Sequence, residues 1–273
     1  MAMANRFGRY SKERGQDVRE AIVKSEPLQT FLKAFQELPV RHSVPLIEYY
    51  GIIKEKADSL GIRYDPQDVS QLCIALKQFE GAEGFDQKAA IYLSALIALG
   101  PAGEYYLPLS HFESLLYGIG YQNEEGRNVT IAARESRLVG EEMRGGSVIV
   151  EGGSSISLGA NMNGGILRVD GSHYGSVGTR MGGGSIEIKG TLHLAATQYL
   201  RNNGASSPGW KGLNLNYDTG RDMSGGEIRL ERVILDREIF SEYSARRYGK
   251  EAFDLTKVQH GKIYLGGELI LDR

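Results

Sequence analysis

Short segments of alternating apolar and polar residues recur along the second half of the chain. Apolar residues occupy every second position in Val148–Val150, Ile186–Ile188 and Ile228–Leu230. A period of two predicts short strands that bury one face. Each segment follows a pair of glycines after one intervening residue, and glycine pairs are typical of the turns between strands.

A seven-residue phrase, G-x-x-M-x-G-G, precedes these strands and returns at a fixed spacing. Its first three copies begin at Gly140, Gly159 and Gly178, which are 19 residues apart. Later copies begin at Gly220 and Gly261 after spacings of 42 and 41 residues. The longer spacings predict insertions at about residues 191–212 and 232–259. A fixed period of about twenty residues is typical of stacked repeats that share one core.

The recurring positions of the phrase are the predicted structural residues, and its methionines are expected to line the interior. A worn copy is expected upstream, where Gly120 and Gly126 take the first and last positions. Tyr264 replaces the methionine in the last copy. The structural positions are Gly140, Met143, Gly145, Gly146, Gly159, Met162, Gly164, Gly165, Gly178, Met181, Gly183, Gly184, Gly220, Met223, Gly225, Gly226, Gly261, Gly266 and Gly267.

The repeat resembles the Gly-rich right-handed β-helix domain that ends the large subunit of glutamate synthase and that also occurs in formylmethanofuran dehydrogenase. The four G-x-x-M-x-G-G phrases carry the match, together with Gly152, Gly171 and Gly190, which close the strands. The resemblance implies a β-helix over residues 120–273 that holds neighbouring domains or subunits together and has no catalytic residues. The two insertions depart from that pattern, and the first 120 residues match neither family.

Helical patterns dominate residues 1–119, which we expect to form a helical domain. Apolar residues share one face between Ser25 and Pro39, Asp65-Pro66 is an N-cap with a first-turn proline, and Ala89–Leu99 is apolar nearly all round. Further helices are expected from Pro45 to Gly61 and from Ser110 to Tyr117. The predicted fold class is α+β: an N-terminal α-helical domain followed by a right-handed parallel β-helix (solenoid) with two insertions. A Gly-rich antiparallel sandwich is the alternative.

The ionisable and sulfur-bearing residues form no catalytic pattern. The formal net charge is −2, which does not favour electrostatic binding of nucleic acid, and Cys73 is the single cysteine. His173 and His193 fall in neighbouring repeats, and a packing role is favoured for them because a third metal ligand is missing. The sequence therefore predicts no catalytic residues, no metal and no cofactor.

Candidate interface residues lie in the two insertions. The first insertion contains the only tryptophan, Trp210. The second is expected to form a helix from Asp236 to Tyr248 that carries Tyr243, Arg246, Arg247 and Tyr248. Interleaved arginine and tyrosine can meet phosphates and bases, although a solvated helix face is the favoured alternative.

These features predict a non-enzymatic scaffold that acts through protein–protein contacts. One alternative is a non-catalytic subunit of a redox complex like those of the resembled families, with cofactors held by other subunits. A second is a regulator of a large assembly such as a ribonucleoprotein. The expected partners are proteins, with a homodimer as one option, no membrane, and nucleic acid only within a ribonucleoprotein. A cytoplasmic location is expected because no leader and no apolar run long enough to span a bilayer is present.

Overall fold

The computed structural model describes residues 26–40, 45–193, 219–237, 245–248 and 258–273. Four α-helices lie in the first part of this range: α1 (Glu26–Glu37), α2 (Leu46–Asp58), α3 (Pro66–Ala75) and α4 (Phe85–Leu99). A 3-10 turn, Leu76–Phe79, follows α3. These helices match four of the five helical patterns in the sequence.

Local hydrogen bonds explain where two of the helices begin or fail to form. The Asp65 side chain accepts from the main-chain N–H groups of Gln67 and Asp68, and Asp68 accepts from Asp65 in return. This capping box begins α3. The helix predicted from Ser110 to Tyr117 is wrong. The N–H groups of Glu113 and Ser114 instead donate to Glu80 Oε1, with N···O distances of 2.6 Å.

Twelve strands belong to one sheet in the described part of the chain, and most of them pair in parallel. The strands are β1 (Gly103–Pro108), β2 (Arg127–Ala132), β3 (Glu135–Val139), β4 (Ser147–Val150), β5 (Gly153–Leu158), β6 (Asn163–Val169), β7 (His173–Val177), β8 (Gly183–His193), β9 (Ser224–Arg237), β10 (Ala245–Tyr248), β11 (His260–Leu265) and β12 (Glu268–Asp272).

The main path of the sheet contains eight parallel strands in the order β1-β2-β4-β6-β8-β7-β5-β3. Strand β9 extends it from β8, and β11 pairs in parallel with β9. Antiparallel pairing occurs where β10 meets β9 and where β12 meets β11. The 19-residue spacing appears as register, because Ser147, Ile166 and Ser185 are consecutive partners across β4, β6 and β8.

The predicted right-handed β-helix is wrong: the eight strands form one parallel half-barrel sheet, accompanied by four α-helices. The reason is the continuity of β8, which spans 11 residues. Its first part pairs with β6 and its last residues, Leu192 and His193, pair with β7. The two rows of strands are thereby joined edge to edge. The arrangement is α/β, with the helices preceding most of the sheet instead of alternating with its strands.

The helices pack against the first edge of the sheet. Ser70 on α3 donates to the Tyr106 carbonyl of β1 over 2.6 Å. The Arg127 guanidinium donates to the carbonyls of Ile97 and Gly100 at the end of α4, where cations complement exposed carbonyls. Helix α4 is buried along almost its whole length, as its apolar pattern predicts. Strand β1 thus precedes the domain boundary expected at residue 120, and that boundary stays a prediction.

Candidate functional site

The repeated phrase forms the corners that lead into the strands of the first row. The opening glycine has a φ of 67° at Gly140, 64° at Gly159, 63° at Gly178 and 67° at Gly220. The third residue is also left-handed in these four copies, with φ of 55°, 53°, 55° and 54° at Glu142, Asn161, Arg180 and Asp222. Each corner therefore has the same backbone conformation although its third residue varies.

Each methionine of the phrase packs against a glycine of the following copy. Met143, Met162, Met181 and Met223 are fully buried, as the repeat predicts. A Cβ atom built on Gly165 would lie 2.5 Å from Met143 Cε, and one on Gly184 would lie 2.7 Å from Met162 Cε. These positions require glycine because the methionine of the preceding copy occupies the space that a Cβ atom would need.

The opening glycine of each copy lies against an apolar residue in the strand of the following copy. A Cβ atom on Gly159 would lie 2.5 Å from Ile186 Cδ1, and one on Gly178 would lie 2.7 Å from Ile228 Cδ1. The closing glycines Gly152, Gly171 and Gly190 instead contact main-chain carbonyls of the preceding repeat. The glycine spacing thus reflects close packing between neighbouring strands as well as turn geometry.

The imperfect copy of the phrase from Gly120 to Gly126 has the same corner geometry, but a polar residue takes the methionine position. Gly120 and Gly126 have φ of 72° and 77°. Asn123 takes the methionine position and donates from its side chain to the carbonyls of Arg127 (2.9 Å) and Gly145 (3.2 Å).

The predicted alignment of Gly261–Gly267 with the repeated phrase is wrong. Gly261 takes the place of a second glycine, because a Cβ atom there would overlap Met223 Cε. Tyr264 lies in strand β11, where it pairs with Arg229 of β9, and does not take a methionine position. Gly266 and Gly267 form the turn between β11 and β12. Sequence spacing alone could not separate a corner from a hairpin turn.

The predicted interface residues are only partly within the described range. Trp210 and Tyr243 lie outside the described residues. Arg246, Arg247 and Tyr248 lie on β10, which pairs antiparallel with Ile234–Arg237 of β9. The helix predicted over this segment is therefore wrong at both ends, because strand β9 continues to Arg237 and β10 is extended.

His173 lies inside the sheet and has two hydrogen bonds. Its Nδ1 accepts from Ser154 Oγ over 2.8 Å, and its Nε2 donates to the Ser176 carbonyl over 3.0 Å. We assign this tautomer because a carbonyl can only accept. Burial lowers the pKa of His173 from 6.5 to about 4, although the Ser176 carbonyl acts in the opposite direction. His173 is therefore a neutral, fully bonded side chain at neutral pH.

His193 does not face His173. Its ring stacks on Tyr174 with a centroid distance of 4.3 Å and an interplanar angle of 8°, because the two residues are partners across β7 and β8. Cys73 is fully buried on α3, and burial raises the pKa of its thiol. In the described ranges, no group of three or more His, Cys, Asp or Glu side chains lies close enough to hold a metal ion.

The outer face of the first row of strands presents two ordered rows of side chains. Register places Glu104, Asn128, Ser147, Ile166, Ser185, Glu227 and Lys262 in row A, and Tyr106, Thr130, Ile149, Arg168, Glu187, Arg229 and Tyr264 in row B. In row A, Asn128 donates to Glu104 Oε1 and accepts from Ser147 Oγ, both over 2.8 Å. In row B, the Arg229 guanidinium lies 4.4 Å above the Tyr264 ring.

The two ends of this outer face differ in polarity. Among the early strands the rows contain Tyr106, Ile149 and Ile166, and 55% of Ile166 is exposed. From β6 onward row B alternates in charge through Arg168, Glu187 and Arg229. Alternating charges on neighbouring strands stabilise a sheet modestly, whereas neighbouring exposed apolar side chains with a polar margin are typical of a contact surface.

A cleft of about 620 Å³ lies beside β3, within the 300–1,000 Å³ usual for binding sites. Its walls are the segment 109–116, the first turn of α4 and residues 133–137. Buried Phe85, Leu109 and Phe112 form apolar walls. The charged lining residues are Asp86, Glu113, Arg134, Glu135 and Arg137.

Comparison with known proteins identifies no relative of this chain. No protein-family model, no curated protein and no solved structure matches it. Among the described helices, none has both the length and the apolar character needed to cross a membrane.

The sequence predicted neither the outer rows nor the cleft. Row A and row B could have been found from the polar positions between the apolar residues of each strand, because register follows from the 19-residue spacing. The cleft has no comparable signal, since its walls come from three segments that meet only after folding.

Proposed function

We propose that this chain is a non-enzymatic scaffold that binds a protein partner through the outer face formed by row A and row B. One observation carries the proposal: Ile166 is 55% exposed at the centre of a sheet face whose neighbouring side chains are held by hydrogen bonds. Rigid side chains lose little conformational entropy on binding, so an ordered flat face is suited to a protein surface.

The surroundings of Ile166 support a protein partner. Apolar Ile149 is offset by two residues on the neighbouring strand β4, on the same face of the sheet, and Tyr106 lies in the same row as Ile149. An apolar centre with a hydrogen-bonding and charged margin is the usual composition of a protein–protein interface. The charged margin comes from Arg168, Glu187 and Arg229.

The other functions expected from the sequence stay predictions. No observation in the described residues favours a subunit of a redox complex or a regulator of a ribonucleoprotein over the general scaffold. A cytoplasmic location belongs to this proposal, and its support is that Cys73, the single cysteine, is a buried free thiol.

Affinity capture with a matched pair of variants tests the proposal. Ile166→Glu places a charge at the centre of the face, whereas Ile47→Glu changes an equally exposed isoleucine on α2, 54% against 55%. We expect the wild type and Ile47→Glu to retain the same partner from native cells and Ile166→Glu to lose it. Circular dichroism should show that both variants are folded. The proposal is wrong if nothing is retained, or if both variants behave alike.

A further inference from the structure

Strand β3 ends the main path of the sheet, and its outer edge is only partly covered. The Arg137 N–H donates to the Leu116 carbonyl, and the Gly118 N–H donates to the Arg137 carbonyl, both over 2.9 Å. Tyr117 and Arg137 thereby form a parallel bridge of a single residue pair. This edge therefore already accepts an added strand at its C-terminal part, next to the cleft.

The cleft begins where this bridge stops. Residues 109–116 form one wall and residues 133–137 the other, so the cleft runs along the N-terminal part of β3. Its walls include Phe85 and Phe112, whose rings contact each other with centroids 5.4 Å apart. An extended segment that lies here would continue the strand pairing and place alternate side chains against these rings, which is the geometry of β-strand addition.

The charges of the cleft specify the segment further. Arg134 is exposed and Arg137 is half-buried, and in the described residues neither guanidinium has an ion pair. The Nε of Arg137 is buried without an acceptor, again counting described residues only. The N-terminal turn of α4 adds a positive partial charge. Buried donors without acceptors are costly, so an anionic group here would be stabilised.

We propose that the cleft beside β3 binds an extended peptide segment of a partner protein that carries an acidic side chain, through Arg134 and Arg137. Asp86, Glu113 and Glu135 also line the cleft and act against long acidic runs, which favours one carboxylate flanked by apolar residues. This surface is separate from the outer face of row A and row B, so the two proposals can fail independently.

Fluorescence polarisation with two labelled peptides tests the proposal on the full chain. Both peptides alternate valine and threonine, and they differ only in a central glutamate or lysine. We expect the glutamate peptide to bind at least about ten-fold more tightly, since ten-fold corresponds to one charge-assisted hydrogen bond. Arg134→Glu should remove this preference, and Ala82→Trp should block binding of both peptides because Ala82 is an exposed part of the cleft wall.

Arg63→Glu is the matched control, because it reverses an exposed arginine that does not line the cleft. Its affinity for the glutamate peptide should equal that of the wild type. The proposal is overturned if neither peptide binds, if both bind equally, or if Arg63→Glu weakens binding as much as Arg134→Glu. Complete competition by inorganic phosphate alone would show an anion site and overturn the peptide assignment. Removal of residues 1–25 that raises the affinity more than about ten-fold would identify the chain's own segment as the occupant.

Discussion

The two rows of strands in this sheet have the same spacing but different interiors. The first row, β2, β4, β6 and the first part of β8, turns only apolar residues inward, such as Val148, Leu167 and Ile186. The second row, β3, β5 and β7, turns Ser136, Ser154 and His173 inward as partners in register. The first row follows the repeated phrase, and the second departs from it.

Backbone conformation differs between the rows in the same way. In the first row, left-handed residues other than glycine are confined to the third position of the corners. In the second row, Leu138 and Ile156 have φ of 48° and 75° within their strands. Ile156 is a branched residue for which such a conformation is costly. The comparison teaches that the regular row is stabilised by identical contacts in every copy, whereas the second row depends on contacts that occur once.

The largest expected effect tests the identical contacts of the first row. Gly184→Ala adds a Cβ atom 2.7 Å from both Met162 Cε and the Gly165 carbonyl oxygen, at a φ of 87°. Left-handed strain and overpacking together should lower the free energy of unfolding by about 4 kcal/mol. Urea denaturation followed by circular dichroism measures this loss.

Gly267→Ala is the control for that variant. Gly267 has a φ of 85°, yet a Cβ atom there would have no neighbour within 4 Å. Only the strain of about 1 kcal/mol should remain. Equal losses in the two variants would show that methionine packing against glycine does not stabilise the first row.

The next largest effect tests the polar interior of the second row through pH. The pKa of His173 is lowered to about 4 in the folded protein, against 6.5 when exposed. Between these values the unfolded chain binds the proton and the folded chain does not, so acidification favours unfolding. We expect His173 to account for a loss of about 3 kcal/mol between pH 6.5 and pH 4, and no loss above pH 6.5.

Denaturation midpoints measured across that range, for the wild type and for His173→Asn, give the contribution of this side chain. The asparagine variant should lose less stability on acidification than the wild type. His193→Gln, which removes a histidine that stacks on Tyr174, should retain the pH dependence. If the stability of His173→Asn falls with pH as steeply as that of the wild type, the pH dependence does not come from His173.

A smaller effect is expected when the partner of His173 is removed. Ser154→Ala leaves His173 Nδ1 buried without a donor, which should cost about 2 kcal/mol. Ser157→Ala on the same strand is the comparison, because Ser157 is only partly buried, and it should change stability by less than about 0.5 kcal/mol. If chemical denaturation shows the two serines to be equivalent, the hydrogen bond to His173 does not stabilise the second row.

The smallest effect concerns the outer rows. Arg168 donates to Asp170 from Nη2 over 2.8 Å on the solvent side of β6. Because surface ion pairs are screened and cost side-chain entropy, Arg168→Gln should change the free energy of unfolding by no more than about 0.5 kcal/mol. A thermal melt of this variant that resembles that of Gly184→Ala would mean that the outer face is structural instead of available for binding.

The repeated phrase by itself determined much of the first row. Its 19-residue spacing predicted which residues are strand partners, and its apolar alternation predicted which side chains are buried, because both follow from local period and stacking. The helices α1 to α4 were likewise predicted, since caps such as Asp65-Pro66 and apolar periodicity are local signals. The same local reasoning failed after Ser110, where Glu80 takes the main-chain donors that a helix needs.

Only the tertiary structure decided how the two rows join, where His173 lies and which surfaces remain open. The phrase is compatible with separate sheets or with one half-barrel, because corner conformation does not determine whether a strand continues past the corner as β8 does. The neutral form of His173 depends on its burial among strands that are distant in sequence. The cleft beside β3 depends on three distant segments. Such features arise from contacts between residues far apart in the chain, which a local pattern of glycines and apolar residues does not contain.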